Sequence, residues 1–174
     1  MASEGKTASA VISPCETYRY LLSRPGEDSA RAWAPLVFIM LNPSTADARS
    51  DDPTIRRCRG FARDWGYNGL VVVKLFALRA TDPSELAGAD DPVGPENDAW
   101  LRHIAGQHPI MVAAWGANGP RERVEKVLEI INEKGAQLWS LGVTKAGAPS
   151  HPLYIPRDRR LSRWPETREQ RMNP

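Results

Sequence analysis

The chain has 174 residues, 41% of them apolar and 25% charged, and its formal net charge is +2. These proportions suit a soluble globular protein with one core, and so small a net charge does not by itself imply a polyanionic partner. No apolar run reaches membrane-spanning length, residues 1–14 lack the apolar core of a signal peptide, and Cys15 and Cys58 form neither a disulfide framework nor a CxxC pair. A cytoplasmic protein without membrane contact, metal or cofactor is expected.

Taken in order, residues 1–14 read as a flexible tail, 15–156 as a single domain and 157–174 as a basic tail. Residues 18–22 alternate in part and predict an antiparallel edge strand. Residues 36–41, LVFIML, are an unbroken apolar run, short enough for a strand buried on both faces. It stops at Asn42-Pro43-Ser44 and gives way to an acidic loop with Asp47, Asp51 and Asp52. Pro53 then opens a helix that Asp52 can cap. Its buried stripe is Ile55, Cys58, Phe61, Ala62 and Trp65, and Gly66 ends it. Arg56, Arg57, Arg59 and Arg63 fall largely off that stripe.

Residues 69–77 predict a second buried strand interrupted by one charge, Lys74. A long Pro/Gly/Asp loop follows over 78–95, with one helical turn at 84–87, and then a short helix over 96–106. Residues 109–115 predict a third buried strand, closed by Gly116-Ala117-Asn118-Gly119. Pro120 starts a helix with Val124, Val127, Leu128 and Ile131 as its stripe and Gly135 as its stop. Residues 137–143 predict a fourth strand. This alternation argues for an α/β fold with a mainly parallel sheet and helices on both faces. In such sheets ligands bind beyond the carboxyl ends of the strands.

The loops at those ends hold the candidate chemistry. Asn42, stiffened by Pro43, can hold a water or read a ligand edge; the alternative is a turn-former bonded to its own backbone. Asp47, Asp51 and Asp52 could supply a general base or a divalent-metal site, although Asp52 competes as the helix cap. A buried Lys74 is costly unless paired, and those aspartates are the expected partners. Arg79 and Thr81 could bind phosphate, as could the turn before Pro120. Trp115 could stack on a base or belong to the core. His151, held rigid by Pro152, can donate a hydrogen bond or a proton. Two locally basic stretches, 56–64 and 157–174, are compatible with a phosphate-bearing partner or with solvated surfaces. No GxSxG, Walker A, HExxH or GxGxxG pattern is present.

The segments MLNPSTAD, DDPTIRRC, GFARDWGY, LFALRATDP and HPLY resemble the bacterial and phage family known as domain of unknown function 1643. More distantly, Asn42-Pro43-Ser44, Val73-Lys74-Leu75-Phe76 with Arg79 and Thr81, Trp115-Gly116 and His151-Pro152 are similar in order to motifs of the uracil-DNA glycosylase superfamily, mismatch-specific branch. That resemblance implies a three-layer αβα sandwich with a short, mainly parallel central sheet. It further implies a base flipped into a pocket, with Asn42 positioning the attacking water and His151 stabilising the departing base. This chain departs from the pattern at Ser44, at Leu153-Tyr154 and in its acidic loop.

The expectation is a nucleobase- or nucleotide-recognising enzyme that cleaves or transfers at an N-glycosidic bond. Asn42, Asp47 and His151 would be catalytic. Pro43, Ser44, Asp51, Arg57, Lys74, Arg79, Thr81, Trp115, Gly116 and Tyr154 would bind substrate. Two alternatives stand beside it: a non-catalytic nucleotide or nucleic-acid binding module, and a metal-dependent phosphohydrolase built on Asp47, Asp51 and Asp52.

Overall fold

The computed structural model describes residues 7–44 and 49–165. Its strands are β1 (Ser9–Ile12), β2 (Arg19–Pro25), β3 (Leu36–Met40), β4 (Gly69–Lys74), β5 (Ile110–Ala113), β6 (Gln137–Ser140) and β7 (Ser162–Arg163). They form one sheet in the order β1-β2-β4-β3-β5-β6-β7. Strands β4, β3, β5 and β6 are parallel neighbours. The β1–β2, β2–β4 and β6–β7 pairs are antiparallel.

Half of the pairings are thus antiparallel, so the sheet is not the mainly parallel one that the alternation predicted, and with seven strands it is not the short one that the glycosylase resemblance implied. The parallel strands were legible because burial on both faces forces continuous apolar runs, and β3 and β4 are buried at every position. The added strands lie at the edges, where only backbone pairing is required. Residues 9–12, expected in a flexible tail, form β1 against β2. Ser162 and Arg163, expected in a basic tail, pair with β6. Arg157 of that segment is tied to the Asp64 carboxylate at 2.8 and 3.2 Å.

The helices are α1 (Pro53–Asp64), α2 (Ser84–Gly88), α3 (Asn97–Gln107) and α4 (Arg121–Glu133). Period-two alternation assigns sheet side chains to two cores. Leu36, Phe38, Met40, Leu70 and Val72 pack on Ile55, Cys58, Phe61 and Ala62 of α1. Val37, Ile39, Val71, Val73 and Met111 pack on Leu101 and Ile104 of α3 and Val127, Ile130 and Ile131 of α4. Helices therefore cover both faces. Asp52 caps α1 as expected, its Oδ1 accepting from the Ile55 N–H at 2.8 Å. Gly66, at φ +81°, closes the helix with its N–H on the Arg63 carbonyl at 3.0 Å.

The connections set the site. From β3 the chain crosses by α1 to β4 on one side, and from β5 it crosses by α4 to β6 on the other. Adjacent strands whose crossovers leave in opposite directions open a crevice at their carboxyl ends. Here that crevice lies between β3 and β5, where Asn42 and Trp115 follow. Among the described residues, no helix is long and apolar enough to cross a membrane.

Candidate functional site

A cavity of about 650 Å3 opens at this crevice. Asn42 and Ser44 after β3, Lys74 and Thr81 at and after β4, Trp115 and Gly116 after β5, and His151 and Tyr154 from the last loop all line it. Asp52, Thr54, Asn118, Thr144 and Ser150 complete its polar wall. An adjoining cavity of about 860 Å3 shares Leu41, Pro83 and Asn118 with it. That second space is mostly apolar, whereas the smaller one holds the chemistry-bearing side chains.

Asn42 is held by its amide nitrogen, which donates to the Pro43 carbonyl at 3.0 Å and the Ala80 carbonyl at 2.9 Å. Both N–H bonds of the amide are thereby used, which fixes its orientation and leaves Oδ1 as an acceptor. An acceptor at the end of a rigid strand can orient a water through the water's own hydrogen. Ser44 Oγ donates to Asp52 Oδ2 at 2.9 Å, tying the turn after β3 to the first turn of α1.

His151 is positioned by two local bonds. Its Nδ1 accepts from the Leu153 N–H at 3.3 Å. In the neutral ring the proton therefore sits on Nε2, which becomes a donor. Burial first, then the Lys74 charge, hold the imidazole below its usual 6.5, with Asp52 opposing. A neutral ring presenting an N–H suits a site where negative charge builds up on a leaving group. The loop carrying His151 is anchored by the Gly116 N–H on the Pro149 carbonyl at 2.9 Å. A Cβ on Gly116 would make only ordinary contact with His151 Cβ, at 3.5 Å, so it is the φ of +77° that favours glycine there. Tyr154, 84% exposed, stands at the rim.

Lys74 is the least ordinary group. It is 5% exposed, and no hydrogen bond or ion pair joins it to another group among the described residues. Of the aspartates expected to pair with it, Asp51 bonds Arg24 and Arg59 and Asp52 caps α1. Desolvation, and then the charge of buried Arg19 on β2, lower its ammonium from 10.5 to about 7; Cys58 and Asp52 oppose weakly. The backbone around it is firmly held. Asn97 Nδ2 donates to the Lys74 and Leu75 carbonyls, each at 3.0 Å, and Arg123 Nε donates to the Leu75 carbonyl at 2.7 Å.

The sign of the resulting pH effect follows from linkage. Between about 7 and 10.5 the unfolded chain holds a proton on this lysine that the folded chain has shed, so folding stability rises with pH across that window. Lys74→Met should remove that rise and stabilise the neutral-pH fold by on the order of 2 kcal/mol. Urea midpoints at pH 7 and pH 9.5 measure it; equal midpoints for both proteins at both pH values would contradict the assignment.

A family described as protein of unknown function (DUF1643) matches residues 19–153. The chain belongs to this family. The DUF1643 match runs from β2 through His151 and so contains both walls of the cavity. No curated protein and no solved structure matches the chain.

Within this DUF1643 chain, several expected site residues lie elsewhere. Asp51 is in an ion-pair cluster, with Oδ1 accepting from Arg24 Nε at 2.6 Å and Oδ2 from Arg59 at 3.0 Å. Burial alone would raise its carboxyl, but the hydrogen bonds from Arg24 and Arg59 outweigh it and hold the group below the usual 3.8. Arg57 donates to the Ile155 carbonyl and stacks over Phe61 at 5.0 Å, so it braces the His151 loop from behind. Arg79 donates to the Glu16 carbonyl at 3.1 Å, away from the cavity. Pro43 is buried under the turn, its carbonyl accepting from the Ala80 N–H at 3.0 Å. Trp115 is 3% exposed and packs edge-on against Trp164 at 5.1 Å, giving the cavity a wall instead of a free stacking face. Asp47 lies outside the described residues.

With Asp51 paired to arginines and Asp52 capping α1, the phosphohydrolase alternative keeps neither as a free ligand. The sequence reading missed Ser150, Thr144 and Thr54. Ser150 adjoins His151 and Thr54 adjoins Pro53 at the start of α1, and those neighbourhoods were the available signals.

Proposed function

We propose that the protein is a nucleobase-recognising enzyme acting at an N-glycosidic bond, in nucleic acid or in a nucleotide. The observation that carries the reading is the convergence of Asn42 and His151, 109 positions apart in the sequence (151 − 42), on one cavity at the switch point of the sheet. Asn42 Oδ1 orients the attacking water. His151 Nε2–H hydrogen-bonds the departing base as it gains electrons, a role for a neutral donor. The motif order similar to uracil-DNA glycosylases adds support, and Tyr154 at the rim offers a ring for base stacking. The protonated fraction of Lys74 near neutral pH gives the cavity affinity for an electron-rich or phosphate-bearing ligand.

The test is incubation of the full chain with nucleosides, nucleotides and single- and double-stranded DNA carrying modified bases, followed by chromatography for free base. Release of a base that is abolished in His151→Ala supports the reading. No release from any member of the panel ends the hydrolytic version, and thermal stabilisation without turnover would identify a binding module.

A further inference from the structure

Lys74 has one feature that water positioning and base departure leave unused: a nucleophilic nitrogen, 95% buried, unpaired among the described residues and lining the reactive cavity. A lysine in ordinary surroundings at neutral pH is almost wholly protonated and inert toward carbonyls. Here the charged groups that bear on it are Arg19 from β2, which disfavours the ammonium, and Asp52 at the start of α1, which favours it only weakly; Cys58 lies on the α1 side and His151 on the opposite wall. Its backbone carbonyl is clamped by Asn97, so the side chain leaves a fixed point. Such a desolvated amine is the usual requirement for imine chemistry.

We infer that Lys74 is an imine-forming amine that attacks the aldehyde carbon of a ring-opened sugar bound in the cavity. The inference deepens the N-glycosidic reading and rests on it for the identity of the carbonyl, the C1 aldehyde that deoxyribose exposes once its base has gone. The nitrogen lone pair forms the N–C bond. A proton passes from nitrogen to the former carbonyl oxygen and yields a carbinolamine. That oxygen takes a second proton and leaves as water, giving the C=N bond as an iminium, which returns the borrowed proton by losing its remaining N–H. Amine plus aldehyde thus become imine plus water, with no oxidant or reductant. His151, neutral and lining the same cavity, can carry the protons.

The experiment uses the full chain with two probes in separate reactions, 2-deoxyribose 5-phosphate and an oligonucleotide with one abasic site. Sodium cyanoborohydride supplies hydride to reduce any C=N bond to a stable secondary amine. Intact mass and peptide mapping then locate the adduct among the five lysines of the chain, Lys6, Lys74, Lys126, Lys134 and Lys145. At pH 7 the adduct is expected on Lys74 at least about ten-fold above any other lysine, and to vanish in Lys74→Met and Lys74→Arg. Labelling spread over the other lysines, or no adduct, overturns the inference, and mapping of the wild-type chain decides even if a variant misfolds. Base release without a Lys74 adduct defeats only the imine. A Lys74 adduct without base release defeats only the glycosidic reading and leaves an imine site for another sugar aldehyde.

Discussion

His151→Ala is expected to slow base release by about 10²–10³-fold while substrate affinity changes only a few-fold, because the lost interaction develops mainly in the transition state. The effect should be large because nothing beside it can substitute. Ser150 and Tyr154 line the cavity but carry hydroxyls, and no bond among the described residues would hold Lys74 on a leaving base. The pH profile makes the argument specific. His151 titrates below 6.5, so the rate should be level above that value and fall only at lower pH. Protonation turns Nδ1 from acceptor into donor and so breaks its bond from the Leu153 N–H. The acid limb therefore reports both a charged ring and a displaced loop, and it should disappear from the residual activity of His151→Ala. Asn42→Ala should fall to a similar degree. Asn42→Asp should not rescue it, since a carboxylate cannot donate to the Pro43 and Ala80 carbonyls. A His151→Ala protein with an unchanged rate on every substrate of the panel would remove this residue from the mechanism.

Asp51→Ala should destabilise the fold by about 3 kcal/mol, a loss characteristic of a broken buried pair. Arg24 is 3% exposed, and Asp51 is the carboxylate bonded to it. Arg24 also donates to the Ser23 and Ser50 carbonyls, at 2.9 and 3.1 Å, which carry no charge to set against its own. The Asp51 carboxyl is depressed on folding, so its contribution is complete above 3.8 and is lost as pH falls through the lower folded value. Chemical denaturation at pH 7 and pH 3 should therefore show wild type and Asp51→Ala converging in acid. Activity per folded molecule should be retained, because Asp51 does not line the cavity. An Asp51→Ala protein of normal stability but no activity would return this residue to the site and revive the acidic-loop chemistry.

These contrasts show how far side-chain roles can be read along the chain. That Asn42 and His151 line one cavity followed from local patterns, since Asn42 ends a buried run before Pro43 and His151 stands before Pro152 in a stretch rich in turn residues. Asp52 was legible because a cap is decided by the three residues after it. Asp51 was not, although it is the next residue, because its partner Arg24 lies 27 positions away on β2. Arg57 and Arg79 looked like phosphate ligands because charge shows in a sequence while its direction does not. One faces the back of the His151 loop and the other the segment before β2.

The parallel core strands and the helices between them were determined by the sequence itself, since two-sided burial demands unbroken apolar runs and amphipathic helices demand a 3.6-residue stripe. The antiparallel strand β2 was read from residues 18–22, but the outermost strands β1 and β7 were decided only in the folded chain. Strands as short as β1 and β7 are held by backbone pairing with a neighbour and carry no periodicity of their own. The state of Lys74 belongs to the same class. The sequence placed a charge in a buried strand, but only the folded chain sets Lys74 opposite Met40 in the register of β4 beside β3, with Asp51 turned to Arg24 and Arg59 instead. The burial that lowers its ammonium to about 7 is a property of the packed core, which no local pattern encodes.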